Sequence, residues 1–431
     1  MSDKKGTPIT AVVANMDGDI FDVDGFAAVG SSGQYLAVLN ESETIPIPHG
    51  GELMFLPDRV PILYNMETEC FEARTEHPDI PGKQIFPVAV FNSPGYVNAF
   101  TAAYEEQQGA SLLPLFSYGA AGFLNDDFRS ALIHIDEEPR QDLRYMAHET
   151  IMDGIRALKH RMPENRLRAH IEKCALEYGC PAAKNFFIGR YEAPLPTSGQ
   201  CNARCAGCIS LQSGTPISSP QDRIDFTPTP GEIAQVALHH IGSVEKSIVS
   251  FGQGCEGDPL MAARVIEPAI RRIRAVTQNG TINMNTNASR PEVLRGLLDA
   301  GLDSIRVSIN SFRHDAYHAY FRPVSYSFDN VIESIDVAGE KGKFVSINYL
   351  NCPGITDTEE ELEALTTFLD HHRIQLIQWR NLNVDPKKYH EIIRKAGSTG
   401  KPVGMRRFIR SIKEGYPALR HGYFNPPKET F

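Results

Sequence analysis

Three cysteines stand close together in the segment Cys201-Asn-Ala-Arg-Cys205-Ala-Gly-Cys208. Cysteine thiolate is the usual protein ligand of iron–sulfur clusters, and thiolates with this spacing on one short loop can converge on one face of an iron–sulfur cube. Three thiolates leave the fourth iron of such a cube without a protein ligand. That iron then has an open coordination position, which a cluster needs if it is to bind a small molecule rather than only carry electrons.

The same triplet has a second interpretation, a metal site in a noncatalytic interaction scaffold. Structural zinc sites normally have four ligands in paired C-x2-C spacings. The sequence has no second pair of this kind, and His239 and His240 lie on a predicted helix well downstream. The residue types therefore favour the cluster and leave the Cys-liganded scaffold as the alternative.

The chain has eight cysteines in 431 residues. This is too few for a disulfide scaffold, so we expect reduced thiols or metal ligands. The cysteines outside the triplet lack the usual cluster spacing, and we therefore expect a single cluster. They are Cys70, Cys174, Cys180, Cys255 and Cys352.

Short β-branched runs alternate with amphipathic helical patterns from about residue 186 onward. The predicted strands are Asn185–Tyr191, Ser247–Phe251, Thr281–Asn285, Ser304–Ile309, Phe344–Asn348 and Gln375–Trp379. The predicted helices are 231–240, 262–277, 290–300, 328–340 and 358–371. Strands joined by helices pair in parallel, either in an open doubly wound sheet or in an incomplete barrel. Periodicity alone does not decide between these two architectures.

Residues 1–185 predict a different domain. Up to about residue 140, short apolar runs are separated by Gly, Pro, Asn and Asp, which is typical of a small α+β domain with short strands. Helical patterns at 139–159 and 164–178 then form a bridge to the second half. The predicted division is an N-terminal α+β domain with this bridge over 1–185, a barrel or sheet domain over 186–385, and a C-terminal tail over 386–431.

With the triplet placed directly after the first predicted strand, residues 186 to about 385 resemble the radical S-adenosylmethionine (SAM) superfamily. The resemblance implies a partial (β/α)6 TIM-like barrel and a [4Fe-4S] cluster on Cys201, Cys205 and Cys208. It also implies that SAM binds the open iron through its amino and carboxylate groups and is reductively cleaved to a 5'-deoxyadenosyl radical. An electron donor such as flavodoxin or ferredoxin is the implied partner. Relatives commonly have an aromatic residue where this chain has Gly207, so other groups must hold the adenine.

Further family motifs follow later strands, at the end where a β/α barrel places its site. Glu256-Gly257-Asp258-Pro259 resembles the family's GGEP motif, which implies that backbone groups and the Asp258 carboxylate face the amino group of SAM. Asn285-Thr286-Asn287 resembles the T-N-G segment, which implies that Asn287 approaches the methionyl part of SAM.

The next two strands and the helix between them supply the remaining cofactor candidates. Ser308-Ile309-Asn310-Ser311 resembles the family pattern that holds the ribose hydroxyls, and Ser308 and Asn310 are predicted to point to the same side of a strand. Arg322 matches a position near which relatives often carry a basic residue, and a guanidinium would suit the cofactor carboxylate. The alternative is a surface arginine before a proline turn. Gln378 lies on the sixth predicted strand, where it is a candidate for contact with adenine or substrate, with simple barrel packing as the alternative.

Cys255 and Cys352 are the candidate catalytic thiols. They follow the second and fifth predicted strands, so in a barrel both are expected at the end where the cluster lies. Free cysteines are often small apolar fillers. The more specific hypothesis is that one of these thiols donates a hydrogen atom or forms a covalent link to the substrate radical.

Charge and hydropathy limit the partners. The chain has 43 Lys and Arg against 53 Asp and Glu, a net charge of -10 that opposes attraction to phosphate backbones. An RNA-modifying enzyme is therefore an alternative that the charge disfavours. No stretch approaches the roughly 20 apolar residues of a membrane span, and the N-terminus leads into no long apolar run. We expect a cytoplasmic enzyme that acts on an unidentified substrate.

Overall fold

A computed structural model describes residues 6–212, 214 and 216–431 of the chain. These residues divide into two units. The first contains residues up to 135 together with 350–366 and 380–416, and the second contains 136–349, 367–379 and 417–431. This division differs from the predicted one, because the helical bridge belongs to the second unit and each unit draws on several segments of the chain.

The first unit is built on an antiparallel sheet of short strands whose path has the order β12-β7-β2-β1-β9-β13-β11-β3-β4. The strands of this unit are β1 Thr10–Ala14, β2 Ile20–Ala27, β3 Val29–Ser32, β4 Tyr35–Val38, β5 Ile45–Pro46, β6 Glu52–Phe55, β7 Arg59–Asn65, β8 Cys70–Ala73, β9 Phe86–Phe91, β10 Tyr96–Asn98, β11 Thr101–Ala102, β12 Tyr104–Glu106, β13 Gly119–Leu124, β14 Asp127–Ser130 and β15 Leu132–His134. Both faces of the sheet are covered by apolar side chains: on β1, Ala11 and Val13 belong to one buried cluster and Val12 and Ala14 to another. The predicted N-terminal domain of short strands is thus confirmed.

Three helices follow, α1 His148–Arg161, α2 Arg166–Leu176 and α3 Pro181–Phe187. The strand predicted over Asn185–Tyr191 is wrong, because residues 185–187 end α3 and the first strand of the sheet begins only at Glu192. Pro181 occupies an early position in the helix, where a proline loses no hydrogen bond, and Phe186 and Phe187 are buried. A short apolar run is compatible with either structure, so periodicity could not separate them.

The second unit contains most of a parallel sheet. Its strands are β16 Glu192–Pro194, β17 Ile248–Phe251, β18 Thr281–Thr286, β19 Ser304–Ile309, β20 Phe344–Asn351, β21 Leu376–Asn381 and β22 Arg420–Gly422. The remaining helices of the chain are α4 Pro230–Ser243, α5 Ala263–Val276, α6 Pro291–Ala300, α7 His314–Phe321, α8 Phe328–Glu340, α9 Glu359–His371, α10 Pro386–Lys395 and α11 Met405–Gly415. In the described residues, no helix combines the length and the apolar character that crossing a membrane requires.

The strand order decides between the two architectures that the sequence left open. The strands lie side by side in chain order, from β16 to β22. A doubly wound sheet reverses its strand order at a switch point, and this sheet does not. Right-handed crossovers in a sequential order place the helices on one face, so the sheet curls away from them into a partial barrel. The predicted partial barrel is confirmed.

The two faces of this sheet differ in polarity. On β19, Ile305, Val307 and Ile309 are completely buried, as expected for the face that packs against helices. The alternate residues Ser304 and Arg306 hydrogen-bond to side chains of other strands of the sheet. The inner face is therefore lined by polar side chains, which is unusual for a face that serves only as a packed core.

Candidate functional site

The loop that carries the cysteine triplet follows β16 and is held by backbone hydrogen bonds to the end of α7. The Arg204 N–H donates to the Phe321 carbonyl at 2.9 Å, and the Ala206 N–H donates to the Tyr320 carbonyl at 2.9 Å. A short loop with fixed backbone contacts holds its side chains in defined directions. Three thiols on this loop are thus presented as one group.

The three thiols form an electrostatically unfavourable cluster. Burial, with the nearby Asp258 carboxylate, raises the pKa of Cys201 to about 11. Burial, with Cys201 and Cys208, raises the pKa of Cys205 well above its usual value. Neighbouring buried thiolates are disfavoured unless a cation compensates their charge. The donor set of Cys201, Cys205 and Cys208 therefore fits a metal cluster that accepts thiolate ligands.

Arg223 is a cation in contact with the triplet. Its Nη2 lies 3.5 Å from the Cys208 sulfur, and its Nε donates to the Ser210 hydroxyl at 3.2 Å. Arg223 thereby contacts both Cys208 and Ser210, at the end of the cluster loop. Sequence analysis missed Arg223, because it lies in a long irregular segment where no spacing rule applies.

The Glu256-Gly257-Asp258-Pro259 motif lies directly against the residues that precede the triplet. The Gly257 N–H donates to the Ser198 carbonyl at 2.6 Å, and the Asp258 N–H donates to the Gln200 carbonyl at 2.9 Å. A Cβ on Gly257 would lie closer than 3.0 Å to the Gln200 carbonyl oxygen, so only glycine fits this contact. The structure thus brings the motif and the cluster loop together.

The Glu256 carboxylate is buried and accepts hydrogen bonds from the backbone. Its Oε2 accepts from the Thr197 and Ser198 N–H groups at 2.8 and 2.9 Å, and its Oε1 accepts from the Gly252 and Gln253 N–H groups, both at 2.7 Å. Burial raises the pKa of Glu256 to about 7, against the lowering by these N–H groups. Glu256 thereby joins the segment before the triplet to the loop after β17.

The Asp258 carboxylate makes a similar connection to the end of β18. It accepts from the Thr286 hydroxyl at 2.9 Å, from the Asn287 N–H at 2.6 Å and from the Leu260 N–H at 3.0 Å. Burial raises the pKa of Asp258 to about 6, against the lowering by Asn287. Asp258 also caps the short 3-10 helix Pro259–Ala262, in which Pro259 is buried.

Asn287 hydrogen-bonds to the cluster loop. Its Nδ2 donates to Asn202 Oδ1 at 2.9 Å, and Asn202 Nδ2 donates to the Ser289 hydroxyl at 2.9 Å. Asn202 lies inside the triplet, between Cys201 and Cys205. Asn287 therefore positions the triplet, a role that the sequence comparison with T-N-G did not suggest.

The other predicted cofactor residues occupy different environments. Asn310 is fully buried and its Nδ2 donates to the Ala316 carbonyl at 3.1 Å, whereas Ser308 is only half-buried. Arg322 is exposed and adopts a left-handed conformation with φ 47 at the end of α7, next to the residues that hold the cluster loop. Gln378 is fully buried and donates to Asn425 Oδ1 at 2.9 Å.

The two candidate catalytic thiols are both buried. Cys255 is 7% exposed, and its sulfur lies within 4.8 Å of the Cys174 sulfur. Cys352 is 4% exposed, and burial raises the pKa of its thiol. The Cys352 N–H donates to the Thr356 hydroxyl at 2.9 Å.

Two tyrosines near the triplet also escaped the sequence analysis. The Tyr317 and Tyr326 hydroxyls lie 3.3 Å apart, and burial raises the pKa of Tyr317, with smaller effects from Cys205 and Asp258. Tyr317 lies on α7, where an aromatic residue at helical spacing normally indicates core packing. Their proximity to the thiols follows from tertiary structure alone.

Residues 195–369 match the family model described as the radical SAM superfamily. A curated relative, GTP 3',8-cyclase from Lactiplantibacillus plantarum, is 27% identical over 180 residues, which make up 41% of this chain and 50% of the relative. The chain thus spans half the length of the curated relative that it matches.

Solved structures that are similar include a radical SAM methyltransferase from Sphaerobacter thermophilus, with 15% identity, a TM-score of 0.35, and coverage of 49% of this chain and 65% of that one. SuiB from Streptococcus suis bound to S-adenosylmethionine has 14% identity and a TM-score of 0.38, and the match covers 54% of this chain and 50% of that one.

Proposed function

The chain is a member of the radical SAM superfamily through residues 195–369, and on that premise we propose that it is an enzyme that cleaves SAM to activate a small polar substrate. In this proposal Cys201, Cys205 and Cys208 hold a [4Fe-4S] cluster. When bound, the reduced cluster supplies the electron that cleaves SAM and yields a 5'-deoxyadenosyl radical. The observation that carries the proposal is the convergence of the three thiols on one loop held against the Gly257–Asp258 backbone.

The protein's own residues position the cofactor site and exclude water from it. Glu256 and Asp258 fix the loop after β17 to the segment before the triplet and to the end of β18. Both carboxylates are almost completely buried, so water has little access to this side of the site. Asp258, Asn287 and Ser308 are proposed to face SAM. Asn310 donates a hydrogen bond to the Ala316 carbonyl near the start of α7, and we propose that this contact supports Ser308.

A polar substrate is proposed because the inner face of the barrel is lined by amides, hydroxyls and the Arg306 guanidinium. Asn283 Nδ2 donates to the Ser250 hydroxyl at 3.2 Å, and Arg306 Nη1 donates to Gln378 Oε1 at 3.2 Å. Such side chains favour ligands that carry hydroxyl, amide or phosphate groups and disfavour purely apolar ones.

The Asn348 side chain is the basis for proposing where such a ligand binds. It pairs in register with Ser308 on the neighbouring strand, toward the carboxyl end of β20. Its Oδ1 is buried and accepts no hydrogen bond within the described part of the chain. Because a buried acceptor without a donor is costly, we propose that a hydroxyl or amide of SAM or substrate donates to Asn348.

The curated relative supplies a first substrate to test. Its name states that it acts on GTP, and a nucleotide carries the hydroxyl, amide and phosphate groups that a polar inner face with Arg306 can bind. We therefore propose a nucleotide-like metabolite as the substrate class. An RNA substrate is not favoured, because the net charge is -10.

The proposal also includes a soluble electron donor of the flavodoxin or ferredoxin type and a cytoplasmic location. All eight cysteines are free, which suits a reducing compartment. Cys352 stays a candidate for donation of a hydrogen atom to the substrate radical. Cys255, whose sulfur lies within 4.8 Å of the Cys174 sulfur and the His170 ring nitrogen, is better placed for a different role. For Cys352, an alanine variant that still cleaves SAM but forms no product would support that role.

The experiment that tests the function measures 5'-deoxyadenosine after anaerobic reconstitution with iron and sulfide and reduction with dithionite. GTP and fractions of a polar metabolite extract are added separately. A substrate increases 5'-deoxyadenosine at least about tenfold over the background with SAM alone, and Asn348→Ala reduces that increase without changing iron content. No 5'-deoxyadenosine above the no-SAM control, from a fully iron-loaded protein, would contradict the proposed function.

A further inference from the structure

A second group of potential metal ligands lies away from the triplet, on α2 and the loop after β17. His170 and Cys174 are four residues apart on α2, so they share one face of that helix. Cys255 reaches the same point from the loop that follows β17. The His170 ring nitrogen and the two sulfurs all lie within 4.8 Å of one another. In the part of the chain that the structure describes, this is the one group of three His, Cys, Asp or Glu ligands so closely spaced.

The distances between these ligand atoms match those expected around a single tetrahedral metal ion. Zn–S bonds of about 2.3 Å and Zn–N bonds of about 2.0 Å at tetrahedral angles place neighbouring ligand atoms about 3.5–3.8 Å apart. His170 Nε2 lies 3.6 Å from the Cys174 sulfur. The ligand atoms of a four-iron cluster lie farther apart than those of a single ion, because the whole cluster must fit between them. The atoms of His170, Cys174 and Cys255 are therefore too close together for a second cluster.

Cys180 can supply the fourth ligand. Its N–H donates to the Cys174 carbonyl at 3.0 Å, which folds the chain after α2 back toward that residue, with Gly179 in a left-handed conformation at the turn. The Cys180 side chain acts electrostatically on both Cys174 and Cys255, but its sulfur lies outside the 4.8 Å group of the other three ligand atoms. A side-chain movement must therefore bring it to the ion. One imidazole and three thiols form a ligand set that is common in structural zinc sites.

We propose that His170, Cys174, Cys180 and Cys255 bind one structural Zn²⁺ ion. Two of these ligands, Cys174 and Cys255, are buried, as is usual for a closed site without a water ligand. Imidazole is a good ligand for zinc, whereas iron–sulfur clusters are normally held by thiolates alone. The site is independent of the triplet, and the argument for it does not use the proposed function.

Zinc at this site would fix the loop that carries the cofactor motif. Cys255 precedes Glu256 directly, and the Cys255 carbonyl accepts from the Ile224 N–H at 2.8 Å. Cys174 and Cys255 are far apart in the sequence, so a shared ion closes a long loop of the unfolded chain and stabilises the native state. The ion would thereby hold α2 and the Glu256 loop together.

The test measures zinc in a full-length variant in which Cys201, Cys205 and Cys208 are all replaced by Ala, so that the first site cannot bind metal. The protein is purified anaerobically from zinc-containing medium and analysed by mass spectrometry for metals and for disulfides. About one zinc per chain is expected. Adding Cys174→Ser or Cys255→Ser should lower the zinc content at least about tenfold, whereas the exposed Cys70→Ser serves as the matched control and should retain it.

Replacing zinc by Co²⁺ in the wild-type chain provides a second, spectroscopic measurement. Strong visible bands of a tetrahedral cobalt–thiolate site are expected, and they should be lost in Cys174→Ser. The proposal is overturned if neither protein carries zinc, if iron occupies the site instead, if a Cys174–Cys255 disulfide is found, or if zinc persists when Cys174 and Cys255 are replaced. Failure to form 5'-deoxyadenosine would not bear on this result.

Discussion

The Gln200 carbonyl oxygen lies against Gly257 so closely that no side chain fits between the cluster loop and the cofactor motif. Gly257→Ala is therefore expected to separate the two segments or to force strain on both, at a cost of about 1–3 kcal/mol. We predict reduced iron loading and at least tenfold weaker SAM binding, measured by iron analysis and calorimetry.

Gly296→Ala is the matched control for this substitution. Gly296 lies within α6, and a Cβ there meets no atom within 4 Å. An alanine in a helix interior stabilises by about 0.5–1 kcal/mol relative to glycine. Normal iron loading and SAM affinity in Gly257→Ala would show that the close contact has no role in the site.

Asp258→Ala should leave the cluster intact but weaken SAM binding about tenfold to a hundredfold, the equivalent of roughly 1.5–3 kcal/mol. The reason is the loss of the acceptor for the Thr286 hydroxyl and the Asn287 N–H, together with any direct contact between the carboxylate and the SAM ammonium. Calorimetry on the reconstituted protein measures the affinity. Asp225→Ala removes an exposed carboxylate and controls for net charge; equal affinities in the two variants would mean that Asp258 does not support the cofactor site.

His240 should make the second unit sensitive to acid. Burial lowers the pKa of this histidine to about 4, and its ring nitrogen is 3.1 Å from the Tyr191 carbonyl. In the unfolded chain histidine titrates near pH 6.5, so its contribution to stability is complete above that pH and is lost as the pH falls toward 4. Between about pH 7.5 and about pH 5.5 we expect a loss on the order of 1 kcal/mol from this residue.

His240→Gln tests this assignment, because glutamine can donate to the Tyr191 carbonyl and does not titrate. Denaturant unfolding at the two pH values should show a smaller pH dependence in His240→Gln than in the wild type. His160→Gln, at an exposed position on α1, should leave the pH dependence as it is in the wild type. An unchanged pH dependence in His240→Gln would assign the acid sensitivity to other groups.

The sequence predicted those parts of the fold that have a regular period. The strands β17 to β21 and the helices between them appear near the predicted positions, because each combines a β-branched or amphipathic run with clear ends. Arg420–Gly422 forms the last strand of the parallel sheet although it falls in the predicted tail. A strand of three mostly polar residues has no periodic signal, and only its pairing with β21 identifies it.

Motif spacing within one loop predicted the cysteine triplet, whereas contacts between distant segments could not be predicted. The group of His170, Cys174 and Cys255 joins a helix and a loop that are remote in sequence, and their spacing matches no metal-binding pattern. The hydrogen bond from Asn287 to Asn202 is of the same kind. Such contacts depend on how the strands follow one another in the sheet, which periodicity does not specify.

The most direct test compares SAM cleavage in the wild type and in Cys205→Ala, with Cys70→Ala as the control. Each protein is reconstituted anaerobically, its iron is counted, and 5'-deoxyadenosine is measured after reduction. We predict about four irons per chain and 5'-deoxyadenosine formation in the wild type and in Cys70→Ala, and loss of both in Cys205→Ala, because Cys205 supplies one of three protein ligands. Full iron loading and undiminished 5'-deoxyadenosine formation in Cys205→Ala would contradict the assignment of the cluster to this loop.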